Sequence, residues 1–514
     1  MLRHFLSVSS FTLLSRVTGL ARDLMTAALL GAGLIADAFF VALRLPNHFR
    51  AIFGEGAFNA AFVPVFTRLH TAIGESEARR FADNVWTVML VVQSLILGLA
   101  FAFMPQVVAL LAPGFAADPE KFTLAVTLTR ITFPYLFFIT LVTLISGMLN
   151  GVRRFAAAAG APILLNLSII AALGCAFLFP SAGHAAAWGV MIAGVLELAL
   201  VYGDAMRAGI APRITRPKLD ADMRAFLKAL GPAVIGSAGV QIAMFADTII
   251  ASLLPTGAVS SIYYADRLYQ LPIGVIAIAA GTVLLPEMSR LIAANRVDEA
   301  HSAQNRTLAL SLVLGAPFMV AFLIVPDLIM NTLFGHGAFT HADGAAAGAV
   351  LAAYALGLPA IVMIPSLVAS FRSRLDTATP AIVSLIGIAI NVVLKILLAK
   401  RFGAPGLAFG TAVGAWVNCG LLYLLAVRWR WSAPNRMLLC SLIAIMAASA
   451  ALALTTLLTD ANIASWIADL PRFRSLIHLG IVATAGGFAY GVILLIGLKL
   501  LRVPLPLRRR KQPG

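Results

Sequence analysis

Residues 5–30 read FLSVSSFTLLSRVTGLARDLMTAALL. As one helix rising about 1.5 Å per residue, this run spans the roughly 30 Å hydrocarbon core of a bilayer, with Arg16, Arg22 and Asp23 inside it. Apolar runs of similar length recur as far as residue 500, separated by short polar joints. Of 514 residues, 61% fall in the hydrophobic classes and 12% are charged, and the mean hydropathy is +0.94. A chain of that composition needs lipid as its solvent and leaves no length for a sizeable soluble domain. The basic start and apolar run of residues 1–14 superficially have the form of a secretory signal. Arg16 and Arg22 interrupt that form and no small-x-small cleavage site is evident, so the segment is read as a retained first membrane helix.

Outward from that helix, crossings are predicted at 5–30, 34–66, 85–112, 124–150, 159–180, 184–204, 225–253, 260–289, 308–334, 346–370, 380–399, 404–427, 437–458 and 475–500. The expectation is an all-α polytopic membrane protein of about fourteen transmembrane helices, the second run being too long for one straight crossing. The joints after even-numbered runs hold the basic residues, among them Arg79, Arg80, Arg153, Arg154, Arg372, Arg374, Arg428 and Arg430. The joints near Gly31–Ala36, Ser181–Gly183 and Pro255–Ser260 hold none, while Lys121, Lys400 and Arg401 are exceptions. Both termini are therefore expected in the cytoplasm, the Arg508–Lys511 tail lying against anionic lipid rather than RNA. An excess of 38 Lys+Arg over 22 Asp+Glu thus reads as topology and not as nucleic-acid binding. Cys175, Cys419 and Cys440 all lie in apolar runs, which suggests packing residues and neither a disulfide framework nor a metal site.

An internal repeat is visible. Pro64-x-Phe66-Thr67-Arg68-Leu69 answers to Pro286-x-Met288-Ser289-Arg290-Leu291, and Phe39-Phe40 to Tyr263-Tyr264, at offsets of 222 and 224 residues. Ala187-Trp188-Gly189 echoes Ala408-Phe409-Gly410 in the same way. The expected organisation is an N-terminal lobe at 1–222, a C-terminal lobe at 223–432 and an appendix at 433–514 holding the last two helices and the basic tail. Each lobe contributes six spans, as parallel pseudo-symmetric repeats with a substrate site between them.

Ionisable residues inside membrane spans are costly and normally face a cavity or a partner. Arg16 lies about 16 Å into the membrane from residue 5, and Arg267 roughly 10 Å from residue 260, at the helical rise. Arg44 reads equally well as a snorkelling anchor. Arg16 and Asp23 share a helix face, whereas Arg16 and Arg22 point about 120° apart. Gly19 between them, and Pro46 with Gly54 and Gly56 further on, are equally readable as hinges or as close-packing points. Guanidinium groups in a low-dielectric cavity call for an anion, and a diphosphate suits their bidentate fork. Asp23, Asp37 and Asp266 would suit a cation exporter, but each has an arginine nearby in sequence as a structural partner.

These residues carry a family resemblance. Ser15-Arg16-Val17-Thr18-Gly19-Leu20-Ala21-Arg22-Asp23, Ala36-Asp37-Ala38-Phe39-Phe40-Val41-Ala42 and Leu45-Pro46-Asn47-His48-Phe49-Arg50 closely resemble the opening of the MurJ/MviN lipid II flippases. Glu55-Gly56-Ala57-Phe58, Ala112-Pro113-Gly114-Phe115, Phe133-Pro134-Tyr135, Tyr263-Tyr264-Ala265-Asp266-Arg267-Leu268 and Gly281-Thr282-Val283-Leu284-Leu285-Pro286 extend it over essentially the whole chain. The resemblance implies a fourteen-helix fold of the multidrug/oligosaccharidyl-lipid/polysaccharide exporter superfamily, with a cationic cavity between two lobes. It implies essential arginines at Arg16, Arg22, Arg50 and Arg267, a cavity acid at Asp37, and further polar candidates at Asn47 and Ser260. The last two helices are implied to form a groove for a polyprenyl tail. Gln270 stands where some relatives carry Glu, and Ala158 where proline is frequent.

The implied partner is lipid II, an undecaprenyl-diphosphate-linked disaccharide peptide, moved by alternating access from the cytoplasmic to the periplasmic leaflet. No Walker-type glycine loop is seen and no cofactor is expected, which leaves the membrane potential or a monovalent cation as candidate driving forces. A cation-coupled drug exporter or another lipid-linked oligosaccharide exporter of the same superfamily is the rival transporter. A polytopic glycan-transferring enzyme is disfavoured because the joints are short and poor in acids, with only His336 and His341 on an outer joint as argued catalysts.

Overall fold

A computed structural model describes residues 2–50, 57–466 and 474–503, and among these the chain is helical without strands. It divides into two compact units, Met1–Ser260 with Gly337–Phe339, and Ser261–His336 with Thr340–Gly514. The first holds α1 (Leu2–Leu30), α2 (Leu34–Arg50), α3 (Ala57–Ala72), α4 (Glu75–Ala102), α5 (Met104–Leu111), α6 (Pro119–Thr132), α7 (Pro134–Gly151), α8 (Ala156–Gly174), α9 (Ala182–Arg207) and α10 (Ala221–Ser252). The second holds most of α11 (Ala258–Ala293), then α12 (Val297–Ile324), α13 (Pro326–Phe334), α14 (His341–Ala355), α15 (Leu358–Arg372), α16 (Ala378–Arg428), α17 (Arg436–Trp466) and α18 (Arg474–Leu500).

Prolines and side-chain caps set many of the boundaries. α5, α6, α7, α13 and α15 each carry a proline in their first two residues, where the missing N–H costs no hydrogen bond. Asp118, Ser181 and Asp220 accept from backbone N–H groups at the starts of α6, α9 and α10, and Thr340 with Asp343 forms a capping box on α14. The predicted run 85–112 therefore divides at Phe103, and 308–334 at Val325. The 51 residues of α16 are interrupted at Gly403, whose φ of 61° separates the predicted runs 380–399 and 404–427. Among the described residues, ten helical segments are long and apolar enough to cross a membrane. They cover eleven of the fourteen predicted runs, because Ala378–Arg428 joins 380–399 with 404–427; the runs 5–30, 34–66 and 225–253 are not among them, and 34–66 passes through residues 51–56, outside the described set.

In the first unit, α8 lies along both α1 and α9, α7 along α9, α3 and α4, α2 along α6, and α10 along α3. The packing boundary between Ser260 and Ser261 thus places α10 beside α3, whereas the sequence repeat begins a new half at residue 223. Phe62 is fully buried and stacks on Phe58, Phe66 and Phe81 at 5.3–5.5 Å, with Phe226 of α10 edge-on. Inside lipid such packing, and not expulsion from water, holds helices together. Phe62→Ala is expected to cost about 3 kcal/mol, read as a lower unfolding temperature in detergent.

In the second unit, α17 lies along α18, and α12 along α14, α15 and α17. The repeated sequence pairs occupy like roles in their own units. Phe39 and Phe40 are both buried with rings 5.6 Å apart, and Tyr263 and Tyr264 are buried with rings 5.8 Å apart. A Cβ on Gly189 would lie 2.8 Å from Ile169 of the neighbouring α8, and one on Gly410 would lie 2.9 Å from Lys395 across the α16 kink. Both glycines therefore sit where two helical arms pack closely.

Candidate substrate-binding site

α1 is continuous helix through Gly19, so the cations on it are displayed by a regular helix. Arg16 is exposed. Arg22 is held: its Nε and Nη2 donate to Asp23 Oδ1 at 3.0 and 2.7 Å, and its Nη1 donates to Asn166 Oδ1 at 3.0 Å. Asn166, on α8, uses its Nδ2 to donate to the Ser15 carbonyl at 3.0 Å and to Thr18 Oγ1 at 3.2 Å. One amide thus orients the Arg22 guanidinium and ties α8 to α1 on either side of Arg16. A Cβ on Gly19 would meet Asn166 Nδ2 at 3.5 Å, an ordinary contact, so Gly19 is where α1 and α8 lie close.

The Arg22 and Asp23 side chains are 12% and 7% exposed. At that depth each charge depends on the other, since an uncompensated buried ion is far costlier than the pair. Sequence reasoning missed Asn166; the available signal was a primary amide alone in an apolar run. Asn166→Ala is expected to remove the anchor of Arg22 Nη1, lowering transport about tenfold through the loss of one oriented hydrogen bond to a charged group. Asn166→Asp would add a second carboxylate beside Arg22 and lower anion binding further; a transport assay on both variants checks the order.

Two other predicted residues come together in the same unit. Asp37, in the first turn of α2, is fully buried. Its Oδ2 pairs with Lys121 Nζ at 2.7 Å and accepts from the Gly257 N–H at 2.8 Å. Its Oδ1 accepts from the Ser260 N–H at 2.9 Å and from Ser260 Oγ at 2.7 Å. Both carboxylate oxygens are thus engaged by protein in this conformation. Lys121, an exception among the joint charges, is 3% exposed and lies over the Phe115 ring at 4.2 Å.

Asn47 is half-buried on α2, and Arg44 Nη1 donates to Thr248 Oγ1 of α10 at 3.3 Å, so Arg44 reaches a neighbouring helix. Arg50 is the last residue of α2; its side chain, and all of Gly54, Glu55 and Gly56, lie outside the described residues. In the second unit, the half-buried Arg267 on α11 sits over the Tyr263 ring at 4.5 Å, and Gln270 donates to Asp266 one turn away. Gln270 keeps the fold of that turn without adding a second carboxylate beside Asp266. Among the described residues, no cluster of three or more His, Cys, Asp and Glu is placed to hold a metal ion.

The family model described as "Lipid II flippase MurJ" matches residues 26–470. A probable lipid II flippase MurJ of Rhizobium meliloti (strain 1021) is 42% identical over 435 residues, covering 84% of this chain and 81% of the relative. The lipid II flippase MurJ of Burkholderia cenocepacia is 35% identical over 429 residues, covering 82% and 83%. Among solved structures, a lipid II flippase MurJ in an inward closed conformation aligns with a TM-score of 0.77 at 25% identity, covering 96% of this chain and 99% of that one. An inward-facing multidrug transporter of the MATE family shares the fold alone, at a TM-score of 0.63 and 17% identity. With most of its length matched by the family model and by relatives of this identity, the chain belongs to the lipid II flippase MurJ family.

Proposed function

We propose that this protein carries lipid II from the cytoplasmic to the periplasmic leaflet of the bacterial inner membrane by alternating access, with both termini cytoplasmic, and that it is a transporter and not an enzyme. The observation that carries the reading is the Arg22 guanidinium, nearly buried and oriented by Asp23 and Asn166, on an apolar helix that also displays Arg16. A preoriented fork of N–H donors in a low-dielectric setting fits phosphate oxygens, which accept two such bonds at once. An organic cation would be repelled there.

In this reading Arg16, Arg22 and Arg267 hold the diphosphate and Arg50 serves the inner mouth. Asn47 contributes hydrogen bonding, while Asp37 and Ser260 act together where they already meet. The polyprenyl tail stays in lipid along the last two helices. Outward movement of an anion across an interior-negative membrane is favoured by about 2.3 kcal/mol per charge per 100 mV, so the potential alone can drive the step, with a monovalent cation as an added coupling ion.

Reconstitution into vesicles carrying lipid II tests the proposal. Purified protein should make inner-leaflet lipid II accessible to an externally added headgroup-cleaving enzyme, faster with the receiving side positive. Flipping no faster than protein-free vesicles, or a preference for organic cations over diphosphate lipids in binding, would overturn it. The second outcome would favour a drug exporter.

A further inference from the structure

We propose that Lys121 is the counter-ion that locks the outer end of the transport path, keeping the Asp37 node closed until substrate is ready to leave. The inference rests on the alternating-access reading, because a lock needs two states to choose between.

Three segments of the first unit meet at this node, the start of α2, the start of α6 and the turn between α10 and α11, and residues 337–339 pack against the α1–α2 turn that leads into it. Two backbone interlocks hold them together. Gly31, at φ +64°, has the Ala338 carbonyl 2.6 Å from where a Cβ would stand, and the Ala338 N–H donates to the Ala28 carbonyl at 2.7 Å. A Cβ on Gly257, at φ +94°, would likewise stand 2.7 Å from the Ala32 carbonyl oxygen. Side chains are excluded from both crossings, by space and by the backbone angle. The joints at Gly31–Ala36 and Pro255–Ser260 carry no basic residues, which the positive-inside bias assigns to the outer face.

The chemistry inside the frame is an ion pair with neutral reinforcement. Asp37 has 0% exposure and Lys121 3%, so neither charge has water to stabilise it. Thr256 Oγ1 accepts from Lys121 Nζ at 3.3 Å, while Gly257 and Ser260 supply three hydrogen bonds to the carboxylate. Those three donors come from the α10–α11 turn and the first turn of α11; when that segment withdraws they go with it. Asp37 and Lys121, on α2 and α6, can stay together and be wetted as a neutral pair. Lys121 is therefore what makes the closed state electrostatically tolerable. Without it, burial of a lone carboxylate is relieved by opening to water, and the equilibrium shifts outward.

The test measures outward opening without asking for transport. In a background with Cys175, Cys419 and Cys440 changed to Ala, Leu20→Cys serves as reporter, since Leu20 lies one turn from Arg16 on the same exposed face. A membrane-impermeant methanethiosulfonate is added from outside to spheroplasts. Lys121→Met is expected to raise the labelling rate about tenfold, and Asp37→Asn, which strands the lysine instead, to raise it too. Lys121→Arg should stay near the parent, and the Asp37→Asn/Lys121→Met pair should return toward it, because no lone charge remains. Unchanged labelling in both single variants at parental unfolding temperature overturns the proposal. So does a double variant that labels as fast as Lys121→Met, since a merely structural role predicts additive loosening. Should Lys121→Met not accumulate, the comparison of Asp37→Asn with the double variant decides alone. Failure of lipid II flipping with this labelling pattern intact would sink the functional reading and spare the lock.

Discussion

Arg22→Ala is expected to abolish growth support in cells depleted of their own flippase, and to lower vesicle flipping of lipid II by at least about 30-fold, the lower end of what losing one partner of a buried, hydrogen-bonded charge pair costs. Two losses combine in that number. The diphosphate loses a fork of N–H donors already aimed by Asp23 and Asn166, and Asp23 is left as a buried carboxylate without its cation. Arg22→Lys keeps the charge but not the fork: a single ammonium cannot reproduce the bonds made by Nε, Nη1 and Nη2 in one plane. It should therefore recover stability more than transport. Arg16→Ala separates the two effects. Its side chain is exposed, so the unfolding temperature should stay at the wild-type value while transport falls. Normal flipping by Arg16→Ala and Arg22→Ala at wild-type abundance would remove both residues from the site.

Gly114→Ala should be the most damaging single-methyl change for folding, with loss of accumulated protein and a cost above about 4 kcal/mol, the range reserved for severe overpacking. Gly114 lies in the short helical turn Pro113–Ala117, and its N–H donates to Ser252 Oγ at 3.2 Å. A Cβ there would overlap the Ser252 carbonyl and crowd Leu253 Cα. These are backbone atoms at the end of α10, which no rotamer change can move aside. The turn also places Phe115 beneath Lys121, so displacing it would disturb the Asp37 node as well. Wild-type expression and melting of Gly114→Ala would show that the α10 terminus yields easily, contrary to this packing.

Residue types and their spacing were enough to read the solvent of the chain, its helical class and the presence of unusual charges. Twenty apolar residues have one way to satisfy their backbone in lipid, and an arginine among them is conspicuous because of what it costs. Ala187-Trp188-Gly189 and Ala408-Phe409-Gly410 were legible as a repeat, while their glycines' place at close helix contacts came from the structure. Asp37 stood out by sequence as a carboxylate inside a span, and by resemblance as a cavity acid, yet its partners Lys121, Gly257 and Ser260 lie 84 to 223 positions away. Lys121 read as a misplaced loop charge for want of that information.

Local composition therefore determined what kind of molecule this is, because hydrophobicity and helical periodicity act residue by residue along the chain. Tertiary structure alone decided which charges are neutralised, as Asp37 is by Lys121, and which are aimed, as Arg22 is by Asn166. The physical reason is that an ion pair or an oriented amide is a property of two segments brought within 3 Å, and no periodicity in either segment records the other.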